Sequence, residues 1–337
     1  MIKETIEKII SNENLSIEEA FSVMESILTG DVNHSQLSSL LTALKMKGET
    51  SLEIAGFVSA MKKHSVKINS DVNSTIDVCG TGGDFSDSIN ISTAVSFVVA
   101  GAGIKVAKHG NRSITSKAGS ADVLEQMGIN IHLSPEDSEN ALQEIGITFL
   151  FAQDYHPSMK YAAPVRKELG FRTVFNILGP LTNPAGVTKQ LTGTFNDFTA
   201  GLMCAASQHL EYDRICFVCS DNQFDEISLS GNTRVYEYDS LKGITNYIIT
   251  NESFDYPSFS FDELRGNGAE YNSGRIIELL NQKKKDAFYY TVSANAAMAL
   301  YASKYSENLI TCIKAAEDSI NSGAAFEKYL QLKNFGK

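Results

Sequence analysis

Ile76-Asp-Val-Cys-Gly-Thr-Gly-Gly-Asp84, followed closely by Ser88-Ile-Asn-Ile-Ser-Thr93, is the stretch on which the fold turns. A short apolar run gives way to three glycines in four positions, then to hydroxyls and an amide where an apolar helical pattern begins. This order reads as a buried strand, a tight turn and a helix start. The alternation continues on the C-terminal side. Ile104–Ala107, Ile129–Leu133, Ile147–Phe151 and Ile215–Cys219 are further short apolar runs of strand type. Helical patterns begin near Ser92, at Ser120, at Ser134-Pro135 and around Thr199–Leu210. Such alternation predicts an α/β fold whose mostly parallel central sheet carries helices on both faces.

Before about Asp71 only helical periodicity is present. Ile2, Ile6, Ile9 and Ile10 are read as one apolar face. Ser16-Ile-Glu-Glu19 and Thr50-Ser-Leu-Glu53 are capping boxes that open two later helices. Gly30 and Gly48 follow the second and third helical stripes as stops. The chain therefore begins with a small helical bundle that shows no obvious chemistry.

Lys and Arg number 29 against 40 Asp and Glu, a net charge of −11. That balance argues against a grip on nucleic acid or an anionic membrane, which needs clustered cations. It leaves room for small anions held by a locally positive site. Among five cysteines, Cys216 and Cys219 form a CxxC, but no second pair sits nearby to complete a zinc site, and their apolar strand pattern reads them as packing residues. The N-terminal residues carry Lys3, Glu4, Glu7 and Lys8 and do not read as a signal peptide. With no apolar run long enough to span a bilayer, the cytoplasm is the expected location. Lys283-Lys284-Lys285 is expected to be a solvated run.

Ligands of parallel sheets bind in the loops at the C-terminal strand ends. Three such loops carry chemistry here. Gly80-Thr-Gly-Gly-Asp84 lets successive N–H groups face an anion, although a plain tight turn would use the same residues. The helix start behind it supplies Ser88, Asn90, Ser92 and Thr93. Lys108-His-Gly-Asn-Arg112 and the hydroxyls through Ser120 offer charge-assisted bonds to a second anionic group. Asp225-Glu226, after the strand of Cys216, suits Mg²⁺, which takes one or two carboxylates together with substrate phosphates.

Several motifs in order resemble one family. Asp77-Val-Cys-Gly-Thr-Gly-Gly-Asp84, Asn90-Ile-Ser-Thr93, Lys108-His-Gly-Asn-Arg112, Gly119-Ser-Ala-Asp-Val-Leu-Glu125, Val174-Phe-Asn-Ile-Leu-Gly-Pro-Leu-Thr-Asn-Pro184 and Asp225-Glu-Ile-Ser228 resemble the anthranilate phosphoribosyltransferases of tryptophan biosynthesis. The resemblance runs from the helical N-terminus to Ser293-Ala-Asn-Ala-Ala-Met-Ala-Leu-Tyr301. It implies a Mg-dependent pentosyltransferase that moves the 5-phosphoribosyl group from phosphoribosyl diphosphate to anthranilate. It implies a helical domain (1–70 with a middle segment of about 164–190) hinged to an α/β domain (71–163 and 191–337). It also implies a homodimer through the helical domain.

Carried over residue by residue, the resemblance assigns phosphoribosyl diphosphate to Gly80, Gly83, Asp84, Ser88, Asn90, Ile91, Ser92, Thr93, Lys108, His109, Gly110, Asn111, Arg112, Ser113, Ile114, Thr115, Ser116 and Ser120. Anthranilate falls to Gly80, Asn111, Arg166 and Gly179, and two Mg²⁺ per site to Ser92, Asp225 and Glu226. Lys108 would act electrostatically, and no residue is assigned as general base. Three departures stand out: Ser88-Ile89 for the usual Thr-Phe, Asn222-Gln-Phe224 for Asp-Gly-Leu, and Asn232 for Pro. The second removes a glycine beside the acidic pair and puts that loop's geometry in question. Two rivals share parts of this reading. A pyrimidine nucleoside phosphorylase has the same architecture but needs no metal–diphosphate site, and a silent nucleic-acid-binding relative would carry a basic cleft.

Overall fold

A computed structural model describes residues 2–83, 86–113, 117–282 and 284–336. Helices α1 (Ile2–Ile10), α2 (Ile17–Thr29), α3 (His34–Lys47) and α4 (Ser51–Lys63) form the N-terminal bundle. The capping boxes at Ser16 and Thr50 form, and a third forms at Asn33 with Gln36. Glu53 extends its cap into a buried junction, accepting from the Leu15 N–H at 3.0 Å and from Lys47 Nζ at 3.0 Å. The face expected of α1 is narrower than expected: Ile9 is buried, whereas Ile10 is 69% exposed.

The chain then runs through β1 (Thr75–Gly80), α5 (Ile91–Gly101), β2 (Lys105–Gly110), α6 (Ser120–Gln126), α7 (Pro135–Glu144) and β3 (Ile147–Phe151). A middle stretch carries α8 (Ala152–Tyr155), α9 (Ala163–Leu169) and α10 (Phe175–Leu178). After it come β4 (Lys189–Gly193), α11 (Asp197–Ser207), β5 (Arg214–Ser220), β6 (Thr233–Asp239) and β7 (Gly243–Ile249). Four helices close the chain: α12 (Gly268–Gln282), α13 (Ala287–Ala302), α14 (Leu309–Ser322) and α15 (Ala324–Asn334).

The strands form one sheet in the order β3-β2-β1-β4-β5-β6-β7. The first five are parallel, and β6 and β7 add an antiparallel hairpin. Side chains of a strand alternate between faces, and β5 shows both faces filled. Cys216 and Val218 join a core with α5 and α13, while Ile215 and Phe217 join one with α4 and α11. Cys216 and Cys219 thus point to opposite faces and share no ligand. Burial pushes the Cys216 thiol well up and that of Cys219 to about 12, as packing cysteines require.

The second core also takes Val165, Val174, Leu178 and Leu181 from the middle stretch, so the N-terminal helices close against residues about a hundred positions later. The strand expected at Ile129–Leu133 does not form. Ile129, Ile131 and Leu133 alternate inward, but the Ile129 N–H caps α6 through Leu124 and the His132 N–H goes to the Asn130 side chain. Among the described residues, no helix is long and apolar enough to cross a membrane.

Candidate active site

The C-terminal ends of β1, β2 and β5 open onto one cleft of about 330 Å³, which also draws residues from the middle stretch. At the end of β1 the backbone must turn within two residues. Gly82 and Gly83 do so at φ +63° and +73°, where a side chain would be strained. The Thr81 N–H bonds to the Gly193 carbonyl at 2.9 Å, and the Gly82 N–H bonds to Asp225 Oδ2 at 3.1 Å. The glycine loop is therefore built against the acidic turn rather than hanging free.

Helix α5 begins beside it. Asn90, its first flanking residue, spends its side chain elsewhere: Nδ2 donates to the Ala118 carbonyl at 3.2 Å and Oδ1 accepts from Asn272 at 2.8 Å. The Ser92 N–H points to Glu226 Oε1 at 3.0 Å. Ser88, Asn90, Ile91 and Ser92 line the cleft, whereas Thr93 is buried behind it, its hydroxyl without a partner among the described residues.

From β2, Lys108 reaches across under the loop. Its Nζ donates to the Val78 carbonyl at 2.6 Å and to Ser92 Oγ at 3.3 Å. Burial lowers its pKa, and Asp77 nearby opposes that by favouring the charge. Asp77 holds two elements at once: Oδ1 accepts the His109 N–H at 3.1 Å and Oδ2 accepts Asn183 Nδ2 at 2.8 Å. His109 lines the cleft, and its ring centroid lies 5.1 Å from that of His156. Burial keeps both neutral, lowering His109 to about 3 and His156 to about 4.

Gly110, Asn111, Arg112, Ser113 and Ser120 also line the cleft. The Arg112 side chain is already engaged by two acids, with Nη1 at 3.0 Å from Asp122 Oδ1 and a second pairing to Glu125. Asp122 also accepts the N–H groups of Ser113 and Gly119, so it ties together the two ends of this loop. Asp84, Ile114, Thr115 and Ser116 lie outside the described residues, as does Lys283. Lys284 and Lys285 are exposed and do not line the cleft.

Asp225 and Glu226 follow β5 on a tight turn. The left-handed positions there are Asp221 at φ +48° and Asn222 at φ +56°, not Gln223. Replacing the usual glycine by Gln223 therefore costs no backbone strain, and the turn keeps its shape through the Ser220–Phe224 pairing. Gly193 makes that approach possible. A Cβ there would stand 1.6 Å from the Asp225 carbonyl oxygen.

On the other side of the cleft the middle stretch presents Arg166, Arg172, Asn176 and Gly179. Arg166 is half-buried over the Phe175 ring at 5.1 Å and makes no ion pair among the described residues. Arg172 and Asn272 belong to no motif read above, whereas Asn176 lies in the quoted Val174–Pro184 run. The only available signal was a second arginine close to Arg166; Asn272 is too remote in sequence to give one.

A family profile described as "Glycosyl transferase family, a/b domain" matches residues 72–326, and one described as "Glycosyl transferase family, helical bundle domain" matches 3–65. The chain is 43% identical over 333 residues to an anthranilate phosphoribosyltransferase of Petrotoga mobilis, covering 98% of this chain and 95% of that one. It is 40% identical over 335 residues to one from Salinibacter ruber, covering 98% and 97%. The solved structure of the Thermus thermophilus anthranilate phosphoribosyltransferase superposes with a TM-score of 0.93 at 36% identity, covering 98% of each chain. The Saccharomyces cerevisiae enzyme, solved in complex with phosphoribosyl diphosphate and Mg, gives 0.89 at 25% identity, covering 98% of this chain and 96% of that one.

Proposed function

Because the chain belongs to the anthranilate phosphoribosyltransferase family, we propose that its cleft holds phosphoribosyl diphosphate on the loops after β1 and β2 and anthranilate between Asn111, Arg166 and Gly179. The reaction moves the 5-phosphoribosyl group to the amine of anthranilate and releases diphosphate, a step of tryptophan biosynthesis. The observation that carries the reading is the convergence in one cleft of a glycine turn, a buried Lys108, an acidic pair and an arginine held over a phenyl ring.

The donor set of Ser92, Asp225 and Glu226 is one hydroxyl and two carboxylates, the hard oxygen chemistry that Mg²⁺ prefers. Both carboxylates already lie against the phosphate loops, through the N–H groups of Gly82 and Ser92. The residues fit Mg²⁺, and with two ions per site in this proposal the metal would supply charge neutralisation to the diphosphate as it departs. Lys108, fixed by the Val78 carbonyl, adds positive charge at the same place.

At ribose C1 the bond to the diphosphate oxygen breaks and the bond to the anthranilate nitrogen forms. The nitrogen then sheds one proton. An aromatic amine is neutral at pH 7, so we assign no general base. His109 and His156, both kept neutral, bring no cation to repel an oxocarbenium-like centre. Arg166 takes the anthranilate carboxylate with its planar fork.

The helical body comprises 1–70 and about 164–190, and the α/β body 71–163 and 191–337; closure between them would exclude water from the donor. Val165, Val174, Leu178 and Leu181 share the N-terminal core, which groups the middle segment with the helical body, although α11 and β5 of the α/β body pack on the same core. A homodimer through the helical body is part of the same proposal. The working compartment is the cytoplasm.

Loss of anthranilate fluorescence on adding phosphoribosyl diphosphate and Mg²⁺, abolished by chelator, is the expected result. Phosphorolysis of thymidine or uridine without metal would overturn the assignment.

A further inference from the structure

Arg166, in α9, and Arg172, in the loop between α9 and α10, leave the same middle stretch, and both line the cleft. Each is held over a phenyl ring, Arg166 at 5.1 Å from Phe175 and Arg172 at 4.2 Å from Phe195. The two rings belong to different places. Phe175 opens α10 on the Gly179 side, whereas Phe195 follows the end of β4, where Gly193 packs on the acidic turn. The Arg172 guanidinium is thereby carried to the glycine loop. A Cβ built at Gly83 would meet Arg172 Nη2 at 3.1 Å.

We propose that Arg172 is a donor-binding residue that grips the phosphates of phosphoribosyl diphosphate at the glycine loop. The inference rests on the reading of the cleft given above. A guanidinium presents a rigid fork of donors matched to phosphate oxygens, and stacking on an aromatic face holds that fork in place before the ligand arrives. Glycine at 83 leaves the loop backbone bare where the fork approaches. The middle stretch then carries one arginine for each substrate.

The test compares wild type, Arg172→Ala, Arg172→Lys and Arg166→Ala. Each substrate is varied at saturation of the other, and Mg–phosphoribosyl diphosphate is titrated calorimetrically without anthranilate. Arg172→Ala should raise the phosphoribosyl diphosphate KM and weaken its binding at least tenfold, with the anthranilate KM within twofold. Arg172→Lys should fall between, because lysine keeps the charge and loses the fork. Donor binding equal to wild type in a folded Arg172→Ala, or a rise confined to the anthranilate KM, would overturn the proposal. Should thermal melting show Arg172→Ala unfolded, Arg172→Lys decides, and wild-type donor affinity there overturns it. A wild type that converts anthranilate while Arg172 variants bind donor normally sinks this inference alone. A wild type that neither binds donor nor consumes anthranilate sinks the underlying reading and this inference with it.

Discussion

Arg166 shows how one residue is prepared for a planar anion. Its half-buried guanidinium lies over Phe175, and burial alone lowers its pKa from the usual value without approaching neutrality. A cation desolvated and left without an ion pair among the described residues gains most when a carboxylate arrives. Arg166→Ala should therefore raise the anthranilate KM tenfold or more and leave the phosphoribosyl diphosphate KM within twofold, measured by steady-state fluorescence. Equal effects on both substrates would remove the assignment. Arg112 teaches the opposite lesson. Its charge was legible in the sequence, but Asp122 and Glu125 were not legible as its partners, because they come from α6, a helix that folds back over the loop.

Single elements acquire their roles from their neighbours. Strand β4 is fully buried yet reads Lys189-Gln-Leu-Thr-Gly193, too polar for the apolar-run rule that found β1, β3 and β5. Its polar groups find partners in the middle stretch and within the strand: Gln190 Nε2 donates to the Pro180 carbonyl at 2.7 Å and to Thr192 Oγ1 at 2.8 Å. No local pattern announces such pairing, whereas the β6–β7 hairpin does carry one: Thr233–Asp239 and Gly243–Ile249 are β-branched and aromatic runs joined by a short turn. The glycine turn and the α5 start were legible because their geometry is local, set by residues a few positions apart. Gly193, at the end of β4, tests how far the two strand ends depend on each other. A methyl group there would strike the Asp225 carbonyl at 1.6 Å and push the acidic turn away. Gly193→Ala should cut kcat at least tenfold while circular dichroism still reports a folded sheet; near-wild-type turnover would show that the turn is free to move.

Across the whole molecule, stability should respond to pH through three buried groups. His109 and His156 have folded pKa values of about 3 and about 4, below an ordinary value of 6.5. Their contribution is present above pH 6.5 and is lost as the unfolded chain takes up protons below it. Asp77 runs the other way, raised by burial from 3.8 to about 6, so its folded form gains protons as pH falls through 6. Each group carries up to about 1.4 kcal/mol per pH unit, so two histidines against one aspartate leave a net loss of about 1 kcal/mol between pH 6 and 5. Denaturant melts at those two pH values measure it. His156→Gln should flatten the slope nearly to zero, and an unchanged slope would mean that the pair does not govern it.

The late arrival of Val165, Val174, Leu178 and Leu181 at the N-terminal core bears on how the chain is made. The first four helices leave the ribosome with their inner face open, and the residues that close it are translated about a hundred positions later. At typical synthesis rates that interval is roughly 5 to 20 s. During it the apolar face that the middle stretch later covers stays open, a window for chaperone capture that the finished enzyme no longer shows.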